Sequence, residues 1–142
     1  MPSDLSFVLK ADILEIPAMN ENLAGYLSSE GVPENEILDI QLAVEEAVTN
    51  TIKHGYKEKP GSVWISCKVL ENTIEIIIQD EAIPFDPLTL PPPDIMASAE
   101  DRPIGGLGVM LIRNLMKDVV YHYENGRNIL TLVRERGATN PD

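Results

Sequence analysis

One predicted helix carries three polar side chains that could act together on a bound ligand. Glu46, Asn50 and Lys53 follow one another at spacings of four and three, so these side chains share one face of a helix. The carboxamide oxygen of Asn50 is a hard ligand of the kind that magnesium prefers. The same pattern also suits an ordinary solvated helix face, so other features must decide between the two interpretations.

Two further features fit a nucleotide. Asp80 ends a predicted strand, where its carboxylate can accept a hydrogen bond from an adenine amino group, although Asp at such a place also caps turns. The glycine cluster Gly105-Gly106-Leu107-Gly108 precedes an apolar helix. Glycines let backbone amides approach a phosphate closely, and a helix N-terminus supplies partial positive charge; glycines also begin helices that bind nothing. The nucleotide base at Asp80, a metal at Asn50 and phosphates at the glycines are mutually compatible roles.

Composition excludes several other classes of protein. The 142 residues carry a formal net charge of −12, which repels nucleic acid backbones and anionic lipid. With the single cysteine Cys67 and the two histidines His54 and His122, neither a disulfide framework nor a zinc site with several protein ligands is easily built. No apolar run approaches the roughly 20 residues that span a bilayer, and the N-terminus lacks the pattern of a signal peptide. We expect a cytoplasmic protein that binds neither nucleic acid nor membrane directly.

Hydrophobic periodicity predicts the elements that position these residues. The chain begins with a strand. It continues with two helices, a hairpin, a long proline-rich loop, a third helix and a second hairpin. The predicted ranges are a strand at 5–9, helices at 11–30 and 32–55, strands at 63–69 and 74–78, the loop at 81–103, a helix after Gly105, and strands at 119–123 and 128–133. A loop that long inside a compact domain is often functional, for instance as a lid; a docking segment for another protein is the alternative.

The motifs resemble those of one known family. Glu46-Ala-Val-Thr-Asn50, followed by His54-Gly55-Tyr56, is similar to the N-box of the GHKL (Bergerat-fold) ATPases, most closely in their anti-sigma-factor serine/threonine kinase branch. Residues 80–87 resemble the first glycine box of that branch, and residues 105–109 resemble its second box. The order and spacing of these motifs agree from about residue 5 to residue 135, and the combination is specific although each box alone is weak.

The resemblance implies a fold. We expect an α+β protein, a two-layer α/β sandwich of the Bergerat type, with a mixed, mostly antiparallel sheet and helices on one face. Residues 5–135 would form a single ATP-binding kinase-like domain, and residues 136–142 would form a flexible tail.

The resemblance also implies roles for individual residues. Asn50 would hold Mg²⁺ against the phosphates of ATP, Glu46 would be the general base, and Asp80 would bind the adenine amino group. The phosphates would lie on Gly105, Gly106, Leu107 and Gly108. Thr131 matches a position where the family places a hydroxyl beside the adenine, although Thr is also common in strands that bind nothing. Lys53 would contact a phosphate because of the face that it shares with Asn50.

Ala82 departs from the family pattern. The first glycine box usually has glycine two residues after the aspartate, and here Ala82 stands at that position of the nucleotide-binding motif. Its methyl group could crowd the purine or be absorbed by a small backbone shift.

These observations predict an anti-sigma regulatory factor with ATP-dependent serine/threonine kinase activity. It would bind a sigma factor, phosphorylate an antagonist protein, and form a homodimer. The alternative is a partner-switch protein that senses nucleotide on the same fold without catalysis, which Ala82 and the long loop favour. A detached ATP-binding domain of a two-component system is a third possibility.

Overall fold

The computed structural model describes residues 4–89 and 106–137. The strands are β1 (Leu5–Lys10), β2 (Ser62–Val69), β3 (Thr73–Asp80), β4 (Asp118–Glu124) and β5 (Arg127–Glu135). The helices are α1 (Ile16–Ser29), α2 (Glu34–Asn50) and α3 (Gly106–Leu115), with short 3₁₀ turns at Ile13–Glu15 and Pro87–Thr89. Residues 90–105 lie outside the described residues, and with them most of the predicted loop 81–103 and Gly105. The tail after residue 137 lies outside them as well.

The described strands form one sheet in the order β1-β2-β3-β5-β4. Each pairing is antiparallel, so the α+β prediction is confirmed, whereas the expected mixed sheet is wrong for these strands. Tight turns explain the two hairpins, since antiparallel neighbours need only a few linking residues. At the β4–β5 turn, Asn125 and Gly126 have φ angles of +54° and +78°, the conformation of a type I′ turn.

Alternation along the strands separates a covered face from an open face. The inward residues of the two central strands are buried under the helices; they are Ile74, Ile76 and Ile78 on β3 and Asn128, Leu130, Leu132 and Arg134 on β5. Cys67 on β2 is also inward, and burial raises the pKa of its thiol to about 12. On the open face the guanidinium carbon of Arg127 lies 3.9 Å from the ring centre of Trp64, a cation–π contact.

The helix boundaries follow local chemistry. Pro17 lies in the first turn of α1, and Gly31, with a φ angle of +81°, follows its end, as expected for a glycine beyond a helix C-terminus. α2 does not continue to Gly55 as one regular helix, because residues Thr51–Gly55 form a π-helical turn. Such turns often accompany functional sites. None of the helices within residues 4–89 and 106–137 is long and apolar enough to cross a bilayer.

A buried arginine joins the helices to the sheet. The guanidinium of Arg134, 2% exposed, donates hydrogen bonds to the carboxylates of Glu36 and Asp39 near the start of α2, at 3.4 and 3.0 Å. It also donates to the carbonyl of Leu115 at the end of α3, at 2.8 Å. The backbone N–H of Gly137 donates to the Glu36 carboxylate as well, so this part of the predicted tail is tied to the fold.

We expect Arg134→Leu to lower the free energy of unfolding by about 3–5 kcal/mol, because Glu36 and part of Asp39 would stay buried without a countercharge. The matched control is Arg136→Leu. Its guanidinium donates to the Leu70 carbonyl at an exposed place, so this change should alter stability by about 0.5 kcal/mol or less. Urea unfolding of both variants measures the difference. Equal losses in the two variants would contradict the structural role of Arg134.

Candidate active site

A cleft opens between the end of α2 and the adjoining ends of the central strands. Its lining comes from four places: the C-terminal end of α2 and its π-helical turn, the end of β3 and the segment after it, the middle of β4, and the start of β5. The lining residues are Ala47, Asn50, Thr51, Gly55, Ile78, Asp80, Phe85, Pro87, Tyr121, Asn128 and Leu130. Apolar walls with a few convergent polar groups are typical of small-molecule sites.

Asp80 is a buried carboxylate at the sheet side of this cleft. Its Oδ1 accepts hydrogen bonds from the Ala82 N–H at 3.0 Å and from Nδ2 of Asn128 at 2.8 Å. Its Oδ2 accepts only a longer bond, 3.3 Å, from the Thr51 hydroxyl. Burial raises the pKa of Asp80 above its ordinary value, although these hydrogen bonds act in the opposite direction. Oδ2 is therefore the oxygen best able to accept a further hydrogen bond from a ligand.

Asn50 lies across the cleft at the end of α2. The residue is 6% exposed, and its side-chain Nδ2 has no hydrogen-bond partner among the described residues. An unpaired buried amide costs free energy and calls for an explanation. A bound acceptor, such as a phosphate oxygen, would satisfy this N–H, and the carboxamide oxygen of the same side chain is of the type that magnesium prefers. Within the described ranges no cluster of three or more His, Cys, Asp or Glu side chains could hold a metal.

Glu46 lies one turn before Asn50 on α2 and contacts the start of α3. A methyl group on Gly108 would stand only 2.6 Å from Oε2 of Glu46, so the Glu46 carboxylate lies directly against Gly108, and a larger residue there would displace this carboxylate. The N-terminus of α3, where Gly106 begins the helix, thus lies near the Glu46 carboxylate. Gly105 falls outside the described residues, and Leu107 is placed only as part of the helical backbone.

Lys53 is not brought to the cleft. The α-helical spacing predicts that it shares a face with Asn50, but the chain changes to a π-helical turn at Thr51. More residues fill each turn of a π-helix than of an α-helix, so Lys53 rotates away from that face. Its side chain is exposed and does not line the cleft.

Ala82 is accommodated by a glycine. A methyl group on Gly55 would lie 3.2 Å from the Ala82 Cβ, so the side chain of Ala82 packs directly over Gly55 of the π-helical turn. Ala82 is buried and is not part of the cleft lining, although its N–H orients Asp80. The methyl group therefore fills space beside the cleft rather than space within it.

Thr131 needs a correction. It pairs with Ile77 on β3 and Val120 on β4, and alternation places its side chain on the open face of the sheet, opposite to its neighbours Leu130 and Leu132. The structure therefore does not bring Thr131 to the cleft or beside a nucleotide base.

Asn128, which the sequence analysis did not single out, occupies the β5 position that faces Asp80 directly. A polar residue in the inward register of an otherwise apolar strand is the signal that could have identified it. Thr51 and Tyr121 were missed as well, and each contributes a hydroxyl to the network around Asp80 and Asn128.

Comparisons with known proteins identify a family model and several relatives that match most of the chain. The family model for the histidine kinase-like ATPase domain matches residues 9–134. The chain is 34% identical over 129 residues to the serine-protein kinase RsbW of Listeria monocytogenes, with 82% of each chain covered. It is also 34% identical over 128 residues to the serine-protein kinase RsbW of Bacillus cereus, with 82% of this chain and 80% of the relative covered.

A solved structure has a similar fold. The structure of the RsbU and RsbW domains of Rv1364c from Mycobacterium tuberculosis matches with a TM-score of 0.66 at 18% sequence identity. The match covers 99% of this chain, which spans only about a third (35%) of that longer chain. At this identity the likeness concerns the fold alone.

Replacement of Asp80 by asparagine should make stability less dependent on pH. Because the pKa of Asp80 is raised on folding, its contribution to stability is full below the ordinary value near pH 4 and is lost as the pH rises through the raised value. Asparagine can keep the same contacts without charge, accepting from Ala82 and Asn128 and donating to the Thr51 hydroxyl. We therefore expect Asp80→Asn to gain stability relative to the wild type as the pH rises above about 4.

Urea unfolding between pH 4 and pH 7 measures this difference. Asp118→Asn, at an exposed position on the edge strand β4, serves as the control for removal of a carboxylate. A difference between wild type and Asp80→Asn that stays constant with pH would be incompatible with the assigned cause.

Proposed function

This chain belongs to the histidine kinase-like ATPase family, with the RsbW serine-protein kinases among its relatives, and we propose how its cleft carries out their reaction. The protein is an ATP-dependent serine/threonine protein kinase. The observation that supports our assignment of the site is the arrangement of Asn50, whose buried Nδ2 has no hydrogen-bond partner within residues 4–89 and 106–137, between Glu46 on the same helix and the buried carboxylate of Asp80 across the cleft.

In our assignment, Asp80 selects the adenine base. Its Oδ2 accepts one long hydrogen bond from Thr51, and a carboxylate oxygen accepts a hydrogen bond from the exocyclic amino group of adenine but repels a carbonyl oxygen at the same place. Ala47, Ile78 and Leu130 supply the apolar walls that a purine needs. The methyl group of Ala82 leaves this space open, because it packs over Gly55.

Asn50 and the start of α3 would hold the phosphate end of the nucleotide. The carboxamide oxygen of Asn50 would bind Mg²⁺, whose charge neutralises part of the phosphate charge when it is bound. The backbone N–H groups at Gly106 and Gly108 point along the α3 axis toward its N-terminus, where an anion is favoured. Gly105 and Leu107 would extend this backbone contact, as the family motif implies.

Glu46 would be the general base. It lies one turn from Asn50 and beside the start of α3, so its carboxylate is close to both groups assigned to the phosphates. It would accept the proton of the acceptor hydroxyl while that oxygen bonds to the γ-phosphorus and ADP leaves. Lys53 has no assigned role in this arrangement, because its side chain is exposed away from the cleft.

The partners are a further part of the proposal. We infer that the acceptor is a small antagonist protein and that the kinase also binds a sigma factor in the cytoplasm, as an anti-sigma factor would. The motifs of the anti-sigma branch and the similarity to the RsbW kinases support this. A switch protein without catalysis stays the alternative, and transfer of phosphate to a protein acceptor decides between them.

Asn50→Ala and Glu46→Gln should have separable effects on binding and on transfer. We expect Asn50→Ala to weaken magnesium-dependent ATP binding about tenfold or more, because the proposed metal ligand is gone. Glu46→Gln should bind ATP almost as the wild type does but slow phosphate transfer by about 10²- to 10⁴-fold, the usual contribution of a general base.

Calorimetry with and without Mg²⁺ measures binding, and γ-labelled ATP added to an extract of the source organism measures transfer to protein serine or threonine. Glu45→Gln is the matched control, since the Glu45 carboxylate accepts a hydrogen bond from Asn20 on α1 and does not line the cleft. Full transfer by Glu46→Gln would exclude Glu46 as the base, and no ATP binding by the wild type would exclude the proposed function.

The open face of the sheet supports the proposed homodimer. Val8 on β1 and Val120 on β4 are 57% and 53% exposed on this face, and Ile77, Ile129 and Val133 lie between them on the central strands. Polar side chains such as Gln79 and Thr131 lie among these apolar ones, and an exposed apolar patch bordered by polar groups is typical of an interface between protein copies.

We expect Val120→Asp to weaken self-association by about tenfold or more, because an unpaired charge would be buried between the two copies. Sedimentation velocity over a range of concentrations measures the equilibrium. Leu38→Asp, at an equally exposed leucine on α2 in the helical layer, should leave it unchanged. Loss of association in both variants, or a monomeric wild type, would speak against this interface.

A further inference from the structure

One buried amide connects the carboxylate of Asp80 to the segment that follows β3. Asn128 is 5% exposed and stands directly opposite Asp80 in the β3–β5 register. Its Nδ2 donates to Oδ1 of Asp80 at 2.8 Å and to the carbonyl of Ile83 at 2.9 Å. A side-chain amide has two N–H donors, so both are used inside this network.

The oxygen of the same amide is occupied as well. Oδ1 of Asn128 accepts the backbone N–H of Phe85 at 3.0 Å and the hydroxyl of Tyr121 on β4. A backbone N–H can only donate and a backbone carbonyl can only accept. The contacts with Phe85 and Ile83 therefore fix which end of the amide points to Asp80, and the alternative orientation would lose both.

These contacts hold the first residues after β3 against the sheet. Ile83 and Phe85 belong to the segment that leaves Asp80, and the ring of Phe85 meets that of His54 on the π-helical turn, with ring centres 5.9 Å apart. Pro87, further along the segment, is buried in the cleft lining. The segment therefore reaches the cleft between two contacts: the side-chain amide of Asn128 holds its backbone, and the ring of His54 packs against Phe85.

We propose that Asn128 is a positioning residue that couples base recognition to the path of the segment after β3. It holds Oδ1 of Asp80, so that Oδ2 faces the ligand, and it holds Ile83 and Phe85, so that the segment starts at a fixed place beside the same ligand. Tyr121 supports the amide from the neighbouring strand. The inference rests on the proposed function, since it takes the ligand of Asp80 to be an adenine nucleotide.

Asn128→Asp tests the half of the network that faces Asp80. An ionised aspartate still accepts from Phe85 and Tyr121 but cannot donate, so it places a second carboxylate against Asp80. We expect the affinity for ATP to fall about 10- to 100-fold, as for the loss of one or two buried hydrogen bonds. The weaker affinity for GTP should stay within about threefold of the wild type, since guanine has a carbonyl oxygen in place of the adenine amino group that Asp80 binds. Asn35→Asp, an exposed position in the first turn of α2, is the matched control.

Calorimetry with ATP and GTP on the full chain provides these numbers, and a merely structural role would lower both affinities together. Equal losses for the two nucleotides would overturn the proposal. A collapse of the ATP preference in Asn128→Asp, with the preference intact in Asn35→Asp, would support it.

Amide hydrogen exchange tests the other half without any nucleotide. In Asn128→Ser the side chain is too short to reach Phe85, so the N–H of Phe85 should exchange about tenfold faster or more than in the wild type, whereas the N–H groups of β2 and β3 should keep their protection. Unchanged exchange at Phe85 would overturn the anchoring role. If the wild type binds no ATP, the proposed function fails on its own, and the exchange result still decides whether Asn128 anchors the segment.

Discussion

The guanidinium of Arg134 determines how the helices lie on the sheet. A charge this deeply buried is tolerated only where carboxylates and carbonyls meet it in good geometry, and here those groups come from the start of α2 and the end of α3. β5 therefore fixes both helices from one point. Glu46 lies further along α2 and Gly108 lies nearer the start of α3, and there the two helices approach each other again. The candidate active site depends in this way on an ion pair outside it.

Asp80 and Asn128 form a second buried polar cluster. Here the cost of burying the Asp80 carboxylate exceeds what its hydrogen bonds return. The hydrogen bonds from Ala82, Thr51 and Asn128 stabilise the Asp80 carboxylate, yet burial still raises its pKa, so the ionised form is held at a cost to stability. A protein that only needed to fold could place an apolar residue there, since replacing buried charges by apolar groups is often neutral or stabilising. The free-energy cost of the buried Asp80 carboxylate is consistent with a group retained for ligand recognition. The same holds for Nδ2 of Asn50, which has no hydrogen-bond partner among the described residues.

Local periodicity was enough to predict both hairpins, the three helices and the shared face of Glu46 and Asn50, because each depends on neighbouring residues. Lys53 was misplaced because the prediction extended the α-helical period through Thr51–Gly55. These residues form a π-helical turn, and the hydrophobic pattern does not indicate one. Thr131 could have been placed correctly, since its neighbours Leu130 and Leu132 already mark the inward register. The contacts of Arg134 join distant parts of the chain, and a single sequence does not reveal such partners.

The sheet topology also separates the segments that pair as strands from the segment that links the two hairpins. The hairpins β2–β3 and β4–β5 form between neighbouring segments, and the pairing of β3 with β5 joins them. Everything between Asp80 and Asp118 is thus an insertion between two hairpins, and the strand register does not depend on how long its loop is. Doubling a loop adds only about 0.6 kcal/mol of closure entropy. The number of residues between Asp80 and α3 can therefore change while the pairing of β3 with β5 stays the same.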